Sequence, residues 1–214
     1  LMLTTWKLGP ALAAGNTVVV KPPEWAPLTC SLLADCAHAA NLPPGVFNLV
    51  QGSGEITGNA LVNDARLARI SFTGSIPTAK RIAIAAAANL TPVSLELGGK
   101  SPFIVLEDAD IEAAAHCGAL MYRNATQVCL AGTRFLVHEK VKNAFVLSMR
   151  AVVEKLVIGD PRLPETEVGP IIHPRQFARV QAYVARAVSE GAQTLWGGEP
   201  HAYGANYFQP TMLT

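Results

Sequence analysis

The sequence is poor in charge, and what it carries is nearly balanced: 15% of its 214 residues are charged, 17 basic against 16 acidic, for a formal net charge of +1. That balance leaves no broad cationic face to neutralise phosphates or anionic lipid, so nucleic acid and membrane surfaces are not expected as partners. Cysteine is scarce too. Four of them, at Cys30, Cys36, Cys117 and Cys129, form no CxxC pair and no regular spacing. They do not read as a disulfide framework and fit a reducing, cytoplasmic setting. The five histidines are scattered outside any HExxH motif or His/Cys cluster, so no metal is expected. No apolar run approaches the roughly 20 residues a bilayer crossing needs. A basic segment followed by an apolar run and a cleavage site is also missing from the start. The sequence begins at Leu1 inside an apolar segment and stops at Thr214 inside a strand-like one, which reads as an internal piece of a longer chain.

What is abundant is apolar side chain, at 50% of residues, enough to bury a core in one large domain or two smaller ones. Thr17 to Lys21 is a β-branched run between an Ala-Gly-Asn turn and two prolines, and reads as a buried strand. Pro27 suits the first turn of a helix, with Leu28, Leu32, Leu33 and Cys36 as its apolar stripe. Strands are expected at 46–50 and 69–73, each running through a glycine turn into a helix, the second of these ending near Ala88. Strands at 93–97 and 102–106 flank Gly98-Gly99, and Asp108 or Asp110 can cap the alanine-rich helix that follows. Further on, 133–138 and 194–196 read as strands, 140–156 and 174–190 as helices. Strands alternating with helices imply an α/β fold with a doubly wound parallel sheet. The Gly98-Gly99 hinge is the expected boundary, dividing the chain into 1–98 and 99–214.

Several residues have the makings of a site, each with a plainer alternative. Gly54 and the Gly74-Ser75 pair sit between a strand and a helix, where free N–H groups and the helix dipole can receive a phosphate, although such turns are commonly only turns. Lys21 and Glu24 close the first strand, at the carboxyl end where open α/β sheets bind ligands; a solvated charge pair would look the same. Cys129, in Gln-Val-Cys-Leu-Ala-Gly, has polar and small neighbours, unlike the helical surroundings expected of the other three. It is the best candidate for a reactive thiol, against the usual reading of a cysteine as a small hydrophobe. Glu96 lies in the apolar run Val-Ser-Leu-Glu-Leu, where a carboxylate is costly unless paired, set in a cavity or turned to solvent.

Taken together and in order, these pieces resemble the aldehyde dehydrogenase superfamily. The matching stretches are TWKLGPALAAGNTVVVKPPE, LPPGVFNLVQGSGE, ISFTGS, LELGGK, QVCLAG, GDPRLPETEVGPII and YFQPT, which together span nearly the whole sequence. The resemblance implies a Rossmann-like cofactor domain followed by part of an α/β catalytic domain. It implies Cys129 as nucleophile, Glu96 as general base, Lys21 and Glu24 as adenosine-ribose contacts, and Gly54, Gly74 and Ser75 as cofactor-side turns. The reaction implied is oxidation of a small-molecule aldehyde to a carboxylic acid through a thiohemiacetal and a thioester on the cysteine. NAD is favoured over NADP, because a carboxylate at Glu24 would repel the extra phosphate. The resemblance also implies a homodimer or homotetramer, and further segments that bring an oxyanion-hole asparagine and a second cofactor-contacting glutamate. Without them this stretch alone is expected to be inactive.

The sequence departs from the family pattern at three places. Thr126 stands where a glycine usually precedes the Gln of the cysteine motif, Tyr122-Arg123 replace an aromatic pair, and Ala79 replaces a glycine. If that glycine serves a positive φ, threonine there costs of order 1 kcal/mol. Two other readings stay open: a cysteine esterase or acyltransferase without redox chemistry, and a catalytically silent protein on the same fold.

Overall fold

The computed structural model describes all residues, 1–214. The chain divides into two compact units, Leu1–Leu97 and Gly98–Thr214.

The first unit opens with helix α1 (Met2–Ala13), which buries only Leu8. Strand β1 (Val18–Val20) pairs in parallel with β2 (Phe47–Leu49), Val18 opposite Phe47. Helix α2 (Leu28–Ala39) makes the crossover between them, starting directly after Pro27 as that residue's fixed φ favours. Its buried face shares only Leu33 with the expected stripe. Leu28 and Leu32 are 75% and 63% exposed, and Cys36 is exposed as well. Cys30 is buried at 2%, with Leu33, Ala34 and Ala37 half-buried beside it. Both sets have helical spacing. Apart from the shared Leu33, the buried one carries the smaller side chains.

A single π-type turn (Gly54–Gly58) leads into the short helix α3 (Asn59–Val62), so the helix expected to run through Val62 begins as a wider coil. Strand β3 (Ile70–Gly74) pairs in parallel with β4 (Val93–Leu97) over five residues. Helix α4 (Ile76–Ala88) crosses between them and buries Ala79, Ile82 and Ala86, the i, i+3, i+7 pattern of a core-facing stripe. Only Ile70, Ile82 and Ala86 form this unit's buried cluster, edged by Val62, Leu67, Phe72 and Val93.

The second unit repeats the parallel theme. Strand β5 (Pro102–Val105) pairs with β6 (Arg134–Val137), and the crossover is helix α5 (Ile111–Ala119), capped by the Asp110 carboxylate accepting from the Ala113 N–H at 3.0 Å. Helix α6 (Lys142–Val153) packs against α5. Its Phe145 and Met149 are 1% and 0% exposed. Phe103, Phe135 and Phe145 meet with ring centroids 5.2 to 6.5 Å apart, the spacing at which aromatic rings attract beyond simple burial. Helix α7 (Pro174–Ser189) is amphipathic yet buries no residue fully, and the unit closes on the antiparallel pair β7 (Thr194–Trp196) and β8 (Met212–Leu213).

The fold is α/β, as the alternation of elements implied. Its strands hydrogen-bond as four pairs, three parallel and one antiparallel, rather than as one wide sheet. No helix is long and apolar enough to cross a membrane. Truncating Met149 to alanine removes a fully buried side chain from the larger core and should cost about 2–5 kcal/mol. Urea denaturation of wild type and Met149→Ala measures it; a loss below about 1 kcal/mol would mean that the packing there is loose.

Candidate active site

Two sets of site candidates fall in the first unit. Lys21 follows β1, and its Nζ donates to the carbonyl oxygens of Pro22 at 2.8 Å and Gly52 at 3.0 Å. Glu24, three residues on and exposed, accepts the Gly54 N–H on Oε1 at 2.6 Å. The Lys21 and Glu24 pair and Gly54, singled out separately in the sequence, therefore meet where β1 and β2 end. Hydrogen bonds from its own backbone N–H and from Gly54, with the Lys21 charge nearby, hold the Glu24 carboxyl below its ordinary 4.5.

Gly52 and Ser53, read in the sequence only as part of a glycine turn, shape this site. Gly52 has φ +133°, and a Cβ there would lie 2.0 Å from Thr57 Oγ1, so only glycine fits. Ser53 caps the following turn by accepting the Ile56 N–H at 3.1 Å. The doubled glycine-serine pattern was the available signal.

Gly74 ends β3, and a Cβ on it would lie 2.4 Å from the Phe72 ring. Ser75 is the N-cap of α4, where its Oγ accepts the Thr78 N–H at 3.4 Å. This turn belongs to the second strand pair and shares no hydrogen bond with Lys21 or Glu24. Glu96 sits on β4 opposite Thr73. It is exposed and takes part in no ion pair, which matches the solvent-turned reading rather than the paired one.

Cys129 lies in the second unit, on an exposed turn between α5 and β6. The chain approaches it through an uncommon backbone. After Tyr122, Arg123 is extended (φ −56°, ψ 148°), and Asn124, Ala125 and Thr126 then take positive φ of 53°, 51° and 61°. Asparagine tolerates this left-handed region; alanine pays for its Cβ, and a β-branched threonine more so. The condition attached to Thr126 in the sequence is met: the backbone at that position is left-handed.

The run is held at both ends. Upstream, Tyr122 is buried at 3%, its hydroxyl donating to the Thr211 carbonyl at 3.0 Å and accepting the Trp196 Nε1–H at 3.2 Å. Burial pushes that phenol well above its ordinary value, so it stays protonated and remains a donor. Downstream, the Gln127 N–H donates to the Asn124 carbonyl at 3.0 Å, and the Gln127 side chain reaches the backbone of 170–172. No protein acceptor takes the Cys129 N–H. The other departures are benign: Ala79 is buried at 2% inside α4, and Arg123 is exposed.

Comparison with known proteins agrees along the whole chain. The model of the aldehyde dehydrogenase family matches residues 1–214. A betaine aldehyde dehydrogenase of Cereibacter sphaeroides is 44% identical over 214 residues, a match covering 99% of this chain and 44% of that protein. Among solved structures, PnpE in complex with nicotinamide adenine dinucleotide superposes with a TM-score of 0.96 at 40% identity, over 100% of this chain and 45% of that one. An NADP-dependent enzyme of Escherichia coli gives 0.95 at 40% identity, over 98% and 44%. The chain thus spans less than half the length of these relatives.

Two outcomes test this geometry. Replacing Thr126 with glycine relieves a left-handed β-branched residue and should raise stability by about 1 kcal/mol, read as a higher urea midpoint; a drop would show that the methyl or hydroxyl is making an unseen contact. Because the Glu24 carboxyl is depressed below 4.5, its tether to Gly54 is complete at neutral pH and should survive acidification to that value. The tether is lost only as pH falls through the depressed value. An NMR titration of the Gly54 amide should follow that course and be flat in Glu24→Gln; a midpoint at or above 4.5 contradicts it.

Proposed function

The chain belongs to the aldehyde dehydrogenase family, and from that membership we propose that the protein oxidises a small aldehyde to a carboxylic acid through the Cys129 thiol, with NAD as hydride acceptor. The observation that carries the proposal is the presentation of Cys129: an exposed sulfur on a turn whose own N–H is left unbonded beside it.

In this reading the Cys129 thiol gives up its proton to solvent and the thiolate adds to the aldehyde carbon, giving the oxyanion of a thiohemiacetal. The free Cys129 N–H would donate to that oxyanion, where one preorganised donor is worth several kcal/mol at the transition state. Bound NAD would supply the acceptor for the hydride leaving that carbon. The product on the protein is a thioester. Glu96, exposed and free of ion pairs, is the proposed base that takes a proton from water as the water attacks the thioester, releasing the acid and restoring the thiol.

The residues at the ends of β1 and β2 suit a dinucleotide. Lys21 and Glu24 stand at the carboxyl ends of two parallel strands, the side on which α/β sheets take ligands. We assign them to the adenosine ribose, and Gly54 with the Gly74-Ser75 turn to the cofactor-side loops. The lowered Glu24 carboxyl is ionised at neutral pH and disfavours the extra phosphate of NADP, which supports NAD. Relatives of both kinds have been solved, in complex with NAD and as an NADP-dependent enzyme. By the same reasoning, 1–98 is assigned to cofactor binding and 99–214 to the nucleophile. The expected assembly is a homodimer or homotetramer, and four unpaired cysteines support a reducing cytoplasm.

Aldehyde-dependent NADH formation by the full-length protein, over a panel including betaine aldehyde, aliphatic aldehydes and semialdehydes, tests this. Cys129→Ala should lower turnover by about 10⁴-fold or more. Glu96→Gln should keep a first-turnover burst of NADH while slowing the steady state about 10²–10⁴-fold. NAD binding without any NADH from the wild type would instead support a silent fold, and ester hydrolysis without NAD binding a plain cysteine hydrolase.

A further inference from the structure

The Gln127 side chain spends its amide on the backbone of a distant segment. Its Oε1 accepts the Ile172 N–H at 3.0 Å, while its Nε2 donates to the Asn124 carbonyl at 2.9 Å and to the Pro170 carbonyl at 3.4 Å. The orientation of the amide is fixed by this set, since an N–H demands the oxygen and two carbonyls demand the nitrogen. Taking the N–H of one residue and the carbonyl of the residue two before it is what a strand peptide does at a parallel bridge. The side chain therefore acts as a piece of strand laid against 170–172.

The receiving segment is itself well held. Ile171 is 4% exposed, its N–H donates to the Asn206 carbonyl at 2.9 Å, and Val168 just before it is 3% exposed. Asn124 closes the loop by donating from Nδ2 to the Gln127 carbonyl at 3.2 Å. Cys129 lies two residues beyond this anchor, and Ala131, buried at 8%, fixes the far side.

We propose that Gln127 is the positioning residue of the thiol turn, clamping 124–129 to the 170–172 backbone so that the left-handed run cannot relax and carry Cys129 away. The proposal rests on the reading of Cys129 as nucleophile for its effect on turnover, but the clamp itself is a property of the fold. A side chain that only stabilised the protein would not separate kcat from KM.

The test is Gln127→Ala in the full-length protein, with two readouts. Backbone hydrogen exchange should accelerate about tenfold or more at the amides the clamp protects, those of Gln127, Ala131 and Ile172, and not elsewhere, because three hydrogen bonds are lost at one place. In aldehyde oxidation, kcat should fall about 10²-fold with KM for aldehyde and for NAD within about twofold, the signature of a misplaced reacting group. Exchange that stays at the wild-type rate overturns the clamp, and faster exchange with unchanged kcat overturns its role in positioning. A wild type that makes no NADH defeats the oxidation reading alone and leaves the exchange to decide the clamp. Should the alanine variant fail to fold, Gln127→Glu takes its place. It keeps the acceptor for Ile172 but sets a charge against two carbonyls, and the same two readouts are expected to shift in the same direction.

Discussion

Three successive left-handed residues before the thiol are the constraint on which the rest of the second unit depends. A backbone of this kind costs of order 1 kcal/mol or more per non-glycine residue and persists only where its surroundings over-determine it. Asn124, Ala125 and Thr126 are over-determined from both sides. Tyr122 ties the upstream end to Thr211 and Trp196 on the closing strand pair, and Gln127 ties the downstream end to 170–172. The consequence is a turn that projects Cys129 to solvent with its N–H unused.

The alternation of apolar runs and glycine turns made most of the fold legible in the sequence. Strands at 46–50, 69–73 and 93–97 and helices at 140–156 and 174–190 each appear within a few residues of where periodicity places them. What periodicity does not decide is which of two apolar faces a helix buries. On α2 the large leucines Leu28 and Leu32 looked like the core face, but Cys30, Leu33 and two alanines occupy it. The choice depends on how closely the helix approaches its strands, which is a tertiary quantity. Helix α1, read in the sequence only as an apolar segment, carries Pro10 inside it, at the loss of that residue's backbone donor.

The site was legible one residue at a time and much less as an arrangement. The Lys21 and Glu24 pair and Gly54 were picked for separate reasons and are joined in the fold by two direct hydrogen bonds around Gly52–Gly54. Thr126 was visible as an oddity, and its meaning came only with the sign of its φ. Tyr122 and Gln127 carried no local signal for what they do. Each works through a partner dozens of residues away, Thr211 for the one and Pro170 and Ile172 for the other. A side-chain amide that pairs with backbone leaves no period and no composition bias to read.

The two units hold their candidate groups by different physics. In the first, the turns proposed to face the cofactor hang on exposed polar tethers: a lysine on a carbonyl, a carboxylate on a backbone N–H, a serine cap, over a buried cluster of only three residues. Such tethers exchange readily with water or with a ligand that offers the same donors and acceptors, so a bound nucleotide could replace them at small net cost. In the second, the thiol turn is anchored to a core of eight buried residues, through a phenol too deeply placed to be resolvated cheaply. That division suits the proposed reaction. A cofactor must arrive, be held and leave in every cycle, whereas the nucleophile has to meet each substrate from the same position.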